Sequence, residues 1–428
     1  GRTLDPGAVA PGWVDYTRRT EYRTVDLTNR LEIGENRIAL LLADGWYAGD
    51  SGTGVRQQYG DRPEFLLELK LSFEDGSQWV LASDSEWRWQ PSWILSADPS
   101  TGEAQDGPRR RVDWLGAGLE TVSWYPVIQG LRPEEQDIPL SAASPGPVPS
   151  SEPLEAELVR WRPDRCAALF ELDSAVLGRA RLALTAPDGS AFRVRYALTL
   201  DAQGEPVVQG EDVYVARGEE RGETFEGQFS LHGFRYVEVS GDLFREDGVR
   251  VSAVPISRPL ACTSTLVTDH PRLNQLYGHL AGHLGRVQHC VSMTGLRPAD
   301  RIGRMGDFGP SAASLLLTLD SAAVLSGWLQ NMTDAQFPDG AIPTAVPSLP
   351  AEDALCSEGP AGSSAAFVES LWRLYRHTGD RRILRGYYPA AKRQLAGAIA
   401  AAEGFIRDDL EAVPGYPADL LATAWLYR

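Results

Sequence analysis

Residues 290–311 read CVSMTGLRPADRIGRMGDFGPS. Neither the 3.6-residue period of a helix nor the two-residue period of a strand runs through this stretch. Gly295, Pro298, Gly303, Gly306, Gly309 and Pro310 punctuate it, so the spacing predicts a loop. Two carboxylates, Asp300 and Asp307, stand in that loop with Arg297, Arg301 and Arg304 around them. A structured loop of this length between helices is more often functional than idle. On spacing alone two readings stay open: a functional acidic loop, or a surface loop tied by ion pairs.

The flanks set the frame. Upstream, Asp269 is placed to cap a helix with Pro271 in its first turn. Leu273, Leu276, Leu280, Leu284 and Val287 then recur at spacings of three and four, the pattern of one buried stripe. Downstream, helical patterns follow at 311–318, 320–336, 363–377, 381–403 and 418–427, with Gly379-Asp380 as a stop and restart. Six helices joined by alternating short and long links predict three α-hairpins.

Before about Arg258 the period is two. Runs at 21–27, 37–42, 64–73 and 78–82 are separated by turn signals such as Asp44-Gly45, and Asp75-Gly76 predicts a hairpin. Residues 130–153 are rich in Pro, Ser, Ala and Gly and read as a linker. Strands resume at 167–172, 180–186 and 192–200, and sheet residues follow within 225–240. Trp46, Trp87, Trp89 and Trp93 either pack in a core or stack on sugars, core packing being the commoner fate. His232 reads as a hydrogen-bonded structural histidine. His279 and His283 lie one helical turn apart, but no HExxH motif or matching carboxylate accompanies them, so no metal site is expected. The sequon Asn331-Met332-Thr333 falls inside a helix pattern and reads as accidental.

Composition narrows the class. A chain of 428 residues implies two to four domains, since one core rarely serves that length. With 43% hydrophobic and 23% charged residues it is globular, and no apolar run approaches the ~18–20 residues of a membrane span. A net charge of −17 repels phosphate backbones, which excludes nucleic acid and suits neutral ligands such as sugars. Cysteines 166, 262, 290 and 356 show no CxxC or zinc spacing and read as buried free thiols. No cofactor motif occurs. No signal peptide is visible, which favours the cytoplasm over secretion, but the chain opens at Gly1 without a methionine and its location stays open.

The same residues resemble a known family, the bacterial α-L-rhamnosidases, along nearly the whole chain. Pro11-Gly12-Trp13, Asp44-Gly45-Trp46-Tyr47-x-Gly49 and Gly102-Glu103 followed by Asp106 resemble its N-terminal sandwich. His232-Gly233-Phe234-Arg235-Tyr236 resembles the signature of its second sandwich. Leu273-Asn274-x-Leu276, Asp334-x-Gln336 with Gly340, and Thr378-Gly379-Asp380 resemble its helical domain. In the acidic loop Asp300-Arg301 takes the place of the family's Glu-Arg, and Gly303-Arg304-Met305-Gly306-Asp307 that of its Gly-Trp-x-Gly-Asp. The opening Asp of that loop falls at Thr294 or Gly295. The family's Trp-x-Asp falls at Ser363-Ser364-Ala365, and its Gly-Asp-Trp at Arg407-Asp408-Asp409.

The resemblance implies an N-terminal β-sandwich at 1–125, a linker at 126–155 and a second, concanavalin-like antiparallel β-sandwich at 156–258. The first half of an (α/α)6 six-hairpin toroid follows at 259–428. It implies inverting hydrolysis of terminal α-L-rhamnosides without a cofactor. Asp300 would be the general acid, and Asp307 would either hold the sugar or modulate that acid, with Arg301, Arg304 and Trp328 binding the sugar. The general base belongs to the second half of the toroid. Three hairpins leave apolar inner faces uncovered, so self-association is expected. Two rival readings stand beside this one: a non-catalytic carbohydrate-binding or scaffold protein, and a hydrolase for another sugar.

Overall fold

The computed structural model describes residues 4, 7–9, 12–51, 54–110, 123–131, 137–144, 146, 148–241, 248–289, 295–347 and 361–400. Along the chain come β1 (Gly7–Val9), β2 (Thr20–Tyr22), the short helix α1 (Gly45–Ala48), β3 (Glu68–Ser72), β4 (Gln78–Ala82), β5 (Arg88–Trp89), β6 (Ile94–Asp98) and β7 (Gly102–Asp106). Then follow β8 (Tyr125–Pro126), β9 (Leu140–Ala142), β10 (Val148–Pro149), β11 (Leu154–Glu155), β12 (Glu157–Arg162) and β13 (Ala167–Leu184). The β region closes with β14 (Ala191–Leu200), β15 (Pro206–Val215), β16 (Glu223–Glu226), β17 (His232–Gly241) and β18 (Val249–Pro255). The helices are α2 (Pro271–Arg286), α3 (Met305–Thr318), α4 (Ala322–Asp334), α5 (Ala361–Thr378) and α6 (Arg381–Ala400).

A ten-stranded sheet dominates, in the order β11-β18-β13-β17-β14-β15-β7-β6, with β12 and β16 also pairing to β13. Its alternation is visible in β14, where Phe192, Val194 and Tyr196 are buried while Arg193 and Arg195 face out to Glu211. Each buried apolar side chain contributes about 1.5–3 kcal/mol. The runs expected at 167–172 and 180–186 are one strand. An irregularity between Glu171 and Val176 lets the polar Asp173-Ser174 pair bulge outward without ending β13.

The N-terminal region departs further from its sequence reading. β6 and β7 join the large sheet through a parallel pairing of β7 with β15. The remaining pairings β1-β10, β2-β9, β3-β4 and β5-β8 are two-stranded. The expected β3-β4 hairpin forms, with Gly76 at φ +82° in its turn, a conformation that glycine adopts without a Cβ clash. Residues 37–42 form no strand, and no partner strand lies beside them among the described residues. Trp13 and Trp46 are buried and stacked, ring centroids 5.4 Å apart, in a core shared with Leu177, Leu231, Val287 and Leu296. Trp46 is therefore a packing residue. Trp89, by contrast, is half-exposed and pairs with Tyr125.

The helical part has its own core, in which α5 packs on α3, α4 and α6 around Leu315, Leu329, Phe367 and Leu374. Two expectations fail here. The helix expected from 311 begins at Met305, so Gly306, Asp307, Gly309 and Pro310 belong to α3 and not to the loop. Gly309 is there for packing: a Cβ on it would sit 2.6 Å from the Ala366 Cβ. The second concerns the α2 stripe. Leu273, Leu276 and Leu280 are exposed at 44%, 53% and 55%, because no other described element covers that face, and only the end of the stripe is buried, at Val287. Cys262, expected to be buried, is exposed, while Cys166 is half-buried. Cys290, Cys356 and the helix expected at 418–427 lie outside the described residues.

A candidate active-site loop pinned between sheet and helices

Between α2 and α3 the described chain resumes at Gly295 and is held at successive points. Gly233, at the start of β17, is approached so closely by the Leu296 carbonyl that a Cβ there would collide with it. That approach explains the glycine in the His-Gly-Phe-Arg-Tyr motif. Residues Pro298–Asp300 form a 3-10 turn with Pro298 at its first position. Arg301 follows, 1% exposed. Its Nη1 donates to the Leu231 carbonyl and, at 3.2 Å, to the Pro99 carbonyl, and its Nη2 donates to the Leu296 carbonyl at 3.3 Å. On the other side Val346 N donates to the Gly303 carbonyl at 2.9 Å and Met305 N to the Thr344 carbonyl at 2.8 Å. Gly303 too must lack a Cβ, since the Val346 carbonyl occupies its place.

Asp300 sits between these pins. Arg297 donates to both its oxygens, from Nε at 2.9 Å and from Nη2 at 3.3 Å. The Asp300 side chain is 22% exposed and that of Arg297 64%. The pair raises the Arg297 pKa above its ordinary value through the hydrogen bond to Asp300. The arginine paired with Asp300 is thus Arg297, not Arg301 or Arg304.

The other expected residues are placed differently. Arg301 was expected at the sugar, yet it is buried, and desolvation lowers its pKa to about 10. Trp328, also expected at the sugar, lies in the helical core, 3% exposed, with its Nε1 3.5 Å from where a Gly303 Cβ would stand. Arg304 is exposed and precedes the first residue of α3, its backbone bridged to Ala345. Asp307 stands in the first turn of α3, and its side chain lies outside the described residues, as do Thr294 and the side chains of 363–365. Asp408 and Asp409 also lie outside them.

Sequence reasoning missed the polar network that supports the pins. Asp212 on β15 is fully buried and accepts from Tyr196 Oη at 2.6 Å, Ser230 Oγ at 3.3 Å and Glu103 N at 2.8 Å. His232 Nε2 lies 3.0 Å from its Oδ1, and the imidazole stacks on Tyr196 at 3.8 Å. Burial and the Asp212 charge push the Tyr196 pKa well up, so the phenol stays a donor. Glu103 Oε2 accepts from the backbone N–H groups of Gln228, Phe229 and Ser230, shaping the turn that presents the Leu231 carbonyl. Desolvation raises the Glu103 pKa. The Gly102-Glu103 and His232-Gly233 motifs carried a signal for this network, but their joining across the sheet is not written in either.

A second tie fixes the helices to the N-terminal region. Arg19 donates to Asp334 Oδ2 at 2.7 Å, Asn331 Oδ1 at 2.7 Å and Glu21 Oε1 at 2.6 Å. Asn331 is buried in this tie. His289 is buried beside the loop, its Nε2 3.0 Å from the Arg286 carbonyl and its own carbonyl accepting from Arg258. Among the described residues no group of three or more His, Cys, Asp or Glu side chains gathers as it would around a metal. Nor is any described helix long and apolar enough to cross a membrane.

Three family models match the chain. They are the alpha-L-rhamnosidase N-terminal domain at residues 1–148, the bacterial alpha-L-rhamnosidase concanavalin-like domain at 163–256 and the bacterial alpha-L-rhamnosidase 6 hairpin glycosidase domain at 261–410. An alpha-L-rhamnosidase of Streptomyces avermitilis is 31% identical, over 99% of this chain and 42% of its own length. One of Formosa agariphila is 26% identical, over 95% of this chain and 44% of its own length. The crystal structure of a Streptomyces avermitilis alpha-L-rhamnosidase complexed with L-rhamnose superposes with a TM-score of 0.88 at 29% identity, covering 100% of this chain and 42% of that one. The chain therefore spans less than half the length of these relatives.

Proposed function

This chain belongs to the bacterial α-L-rhamnosidase family, and on that premise we propose that it serves the inverting hydrolysis of terminal α-L-rhamnosides, with Asp300 as general acid. In the finer reading its fold is two β-sandwiches followed by half of a six-hairpin toroid. One observation carries the catalytic assignment: Asp300 stands on a loop held by the sheet through Arg301 on one side and by the 344–346 segment on the other. A proton donor has to be held to within about 1 Å, because misplacement by that much costs on the order of 10²-fold. In the reaction this carboxyl protonates the leaving glycosidic oxygen, and a second carboxylate, ~6.5–9.5 Å away, activates water on the opposite face. Asp is about 1.5 Å shorter than the family's Glu, and the tight 3-10 turn at Pro298–Asp300 is where the loop's path can offset that difference.

The resemblance places the base on the later half of the toroid, and in this reading none of the acidic residues of 1–428 takes its role. The isolated chain is accordingly expected to bind L-rhamnose while turning over an aryl α-L-rhamnoside about 10²–10⁴-fold more slowly than a full-length relative. Calorimetry and a release assay check this. Turnover equal to the relative's would place a base within the chain, and failure to bind L-rhamnose would sink the rhamnoside reading. In a longer form that does turn over, Asp300→Asn should harm poor leaving groups far more than good ones, and equal damage to both would remove Asp300 from the acid's role. The Arg297–Asp300 pair favours a second reading, a non-catalytic carbohydrate-binding protein on the same frame. In that case Asp300→Asn changes sugar affinity and no turnover appears in any longer form.

The exposed Leu273, Leu276 and Leu280, with Trp372 at 53% and Ile399 at 57%, support self-association through the helical part. Contiguous apolar patches beyond a few hundred Å2 are rare on monomers. The chain is expected to sediment as oligomers or to bind a hydrophobic dye strongly, and Leu276→Glu with Leu280→Glu should lower both. A monodisperse monomer with weak dye binding would refute this.

A further inference from the structure

We propose that Arg301 is a positioning residue, whose buried guanidinium sets where Asp300 stands by clamping the acidic loop onto two separate segments of the β region. The inference rests on the reading of Asp300 as the acid, but the clamp itself is a matter of geometry. Three carbonyls from distant parts of the chain converge on one side chain: Pro99 between β6 and β7, Leu231 just before β17, and Leu296 of the loop itself. The Leu231 backbone also donates to the Pro99 carbonyl at 3.2 Å, so the two receiving segments are already locked together. No carboxylate is hydrogen-bonded to the Arg301 guanidinium among the described residues. Its charge faces backbone oxygens, in a site that is 1% exposed.

The planar fork explains why arginine occupies this place. Two Nη groups meet carbonyls lying in different directions, whereas a lysine ammonium on a flexible stem can satisfy only part of that set. Arg301 adjoins Asp300 in sequence, so a loosened clamp moves the acid's own backbone. A residue that merely bound substrate would be exposed and would leave the free loop unchanged when replaced.

The test compares wild type and Arg301→Lys in the 428-residue chain by hydrogen exchange and by carbodiimide labelling of carboxylates read by mass spectrometry. Expected is at least about tenfold faster exchange over 295–304 with 191–200 changed less than about twofold, the mark of a local opening. Asp300 labelling should rise at least about threefold against Asp164, whose side chain is 76% exposed on the turn before β13, where β13 pairs with the end of β17 remote from Leu231. Acceleration of both segments together would show a general stability role, and no change in either would show that the clamp does not place the loop. Each of these results overturns the proposal. L-rhamnose binding by wild type is measured in parallel: its absence would discredit the rhamnoside reading while leaving the exchange result to judge the clamp.

Discussion

Replacing Asp212 by alanine is expected to lower the stability of the chain by about 3–5 kcal/mol, the cost of stranding several buried hydrogen-bond donors at once. The size follows from what the carboxylate holds. Tyr196 Oη, Ser230 Oγ, the Glu103 backbone N–H and the His232 ring all point to it, and Asp212, Tyr196 and Ser230 are 0% exposed. Water cannot replace the lost acceptor at these depths, and each stranded donor costs about 1–3 kcal/mol. Ser230→Ala removes only the longest of these bonds and should cost no more than about 1 kcal/mol. Urea unfolding of both variants, followed by far-UV circular dichroism, checks the ranking. A cost below about 1 kcal/mol for Asp212→Ala would mean that the sheet stands without this network.

The consequence reaches the candidate site. Asp212 and Glu103 join β15 to β7, and Glu103 shapes the 228–230 turn that ends in the Leu231 carbonyl beneath Arg301. Loss of stability at Asp212 should therefore be accompanied by loosening of the acidic loop, although among the described residues none of the hydrogen bonds of Asp212 goes to that loop.

How much of this was legible follows from sequence distance. β14 and the β3-β4 hairpin declare themselves, because a two-residue period and one turn glycine are local properties. The acidic stretch could be singled out for the same reason: its glycines, prolines and charges lie within 22 residues. What could not be read is which arginine serves which partner. Arg297, Arg301 and Arg304 look alike in sequence, yet one pairs with Asp300, one is buried against the sheet and one is exposed. The partners that decide this, Pro99 and Leu231, lie 202 and 70 residues away from Arg301. Glycine misled for a related reason. Gly309 looks like a loop residue, but it stands in a helix, where its missing Cβ leaves room for Ala366 of α5. The α2 stripe has the right period for burial and stays exposed, since periodicity describes one face of a helix and not what covers it.

His289 carries the last expectation, a share of the loss of stability in acid that a single substitution removes. Burial, with the Arg301 and Arg258 charges nearby, depresses its pKa from 6.5 to about 3. The folded chain thus keeps the imidazole neutral, while the unfolded chain takes up a proton below about pH 6.5. A depressed folded pKa contributes stability that is fully present above the unfolded value and is lost as pH falls toward the folded one. At up to about 1.4 kcal/mol per pH unit, the loss between pH 6.5 and 4.5 amounts to about 2–3 kcal/mol. Other groups titrate in the same range, and Glu103, whose pKa is raised, works in the opposite direction. The comparison with His289→Gln cancels them, because glutamine retains a donor for the Arg286 carbonyl and does not titrate. Urea midpoints at pH 7, 5.5 and 4.5 should show wild type falling faster than the variant, with the gap changing by about 2–3 kcal/mol across the series. Parallel curves would mean that His289 keeps the same protonation in the folded and unfolded chain, so that its burial beneath the acidic loop makes no pH-dependent contribution.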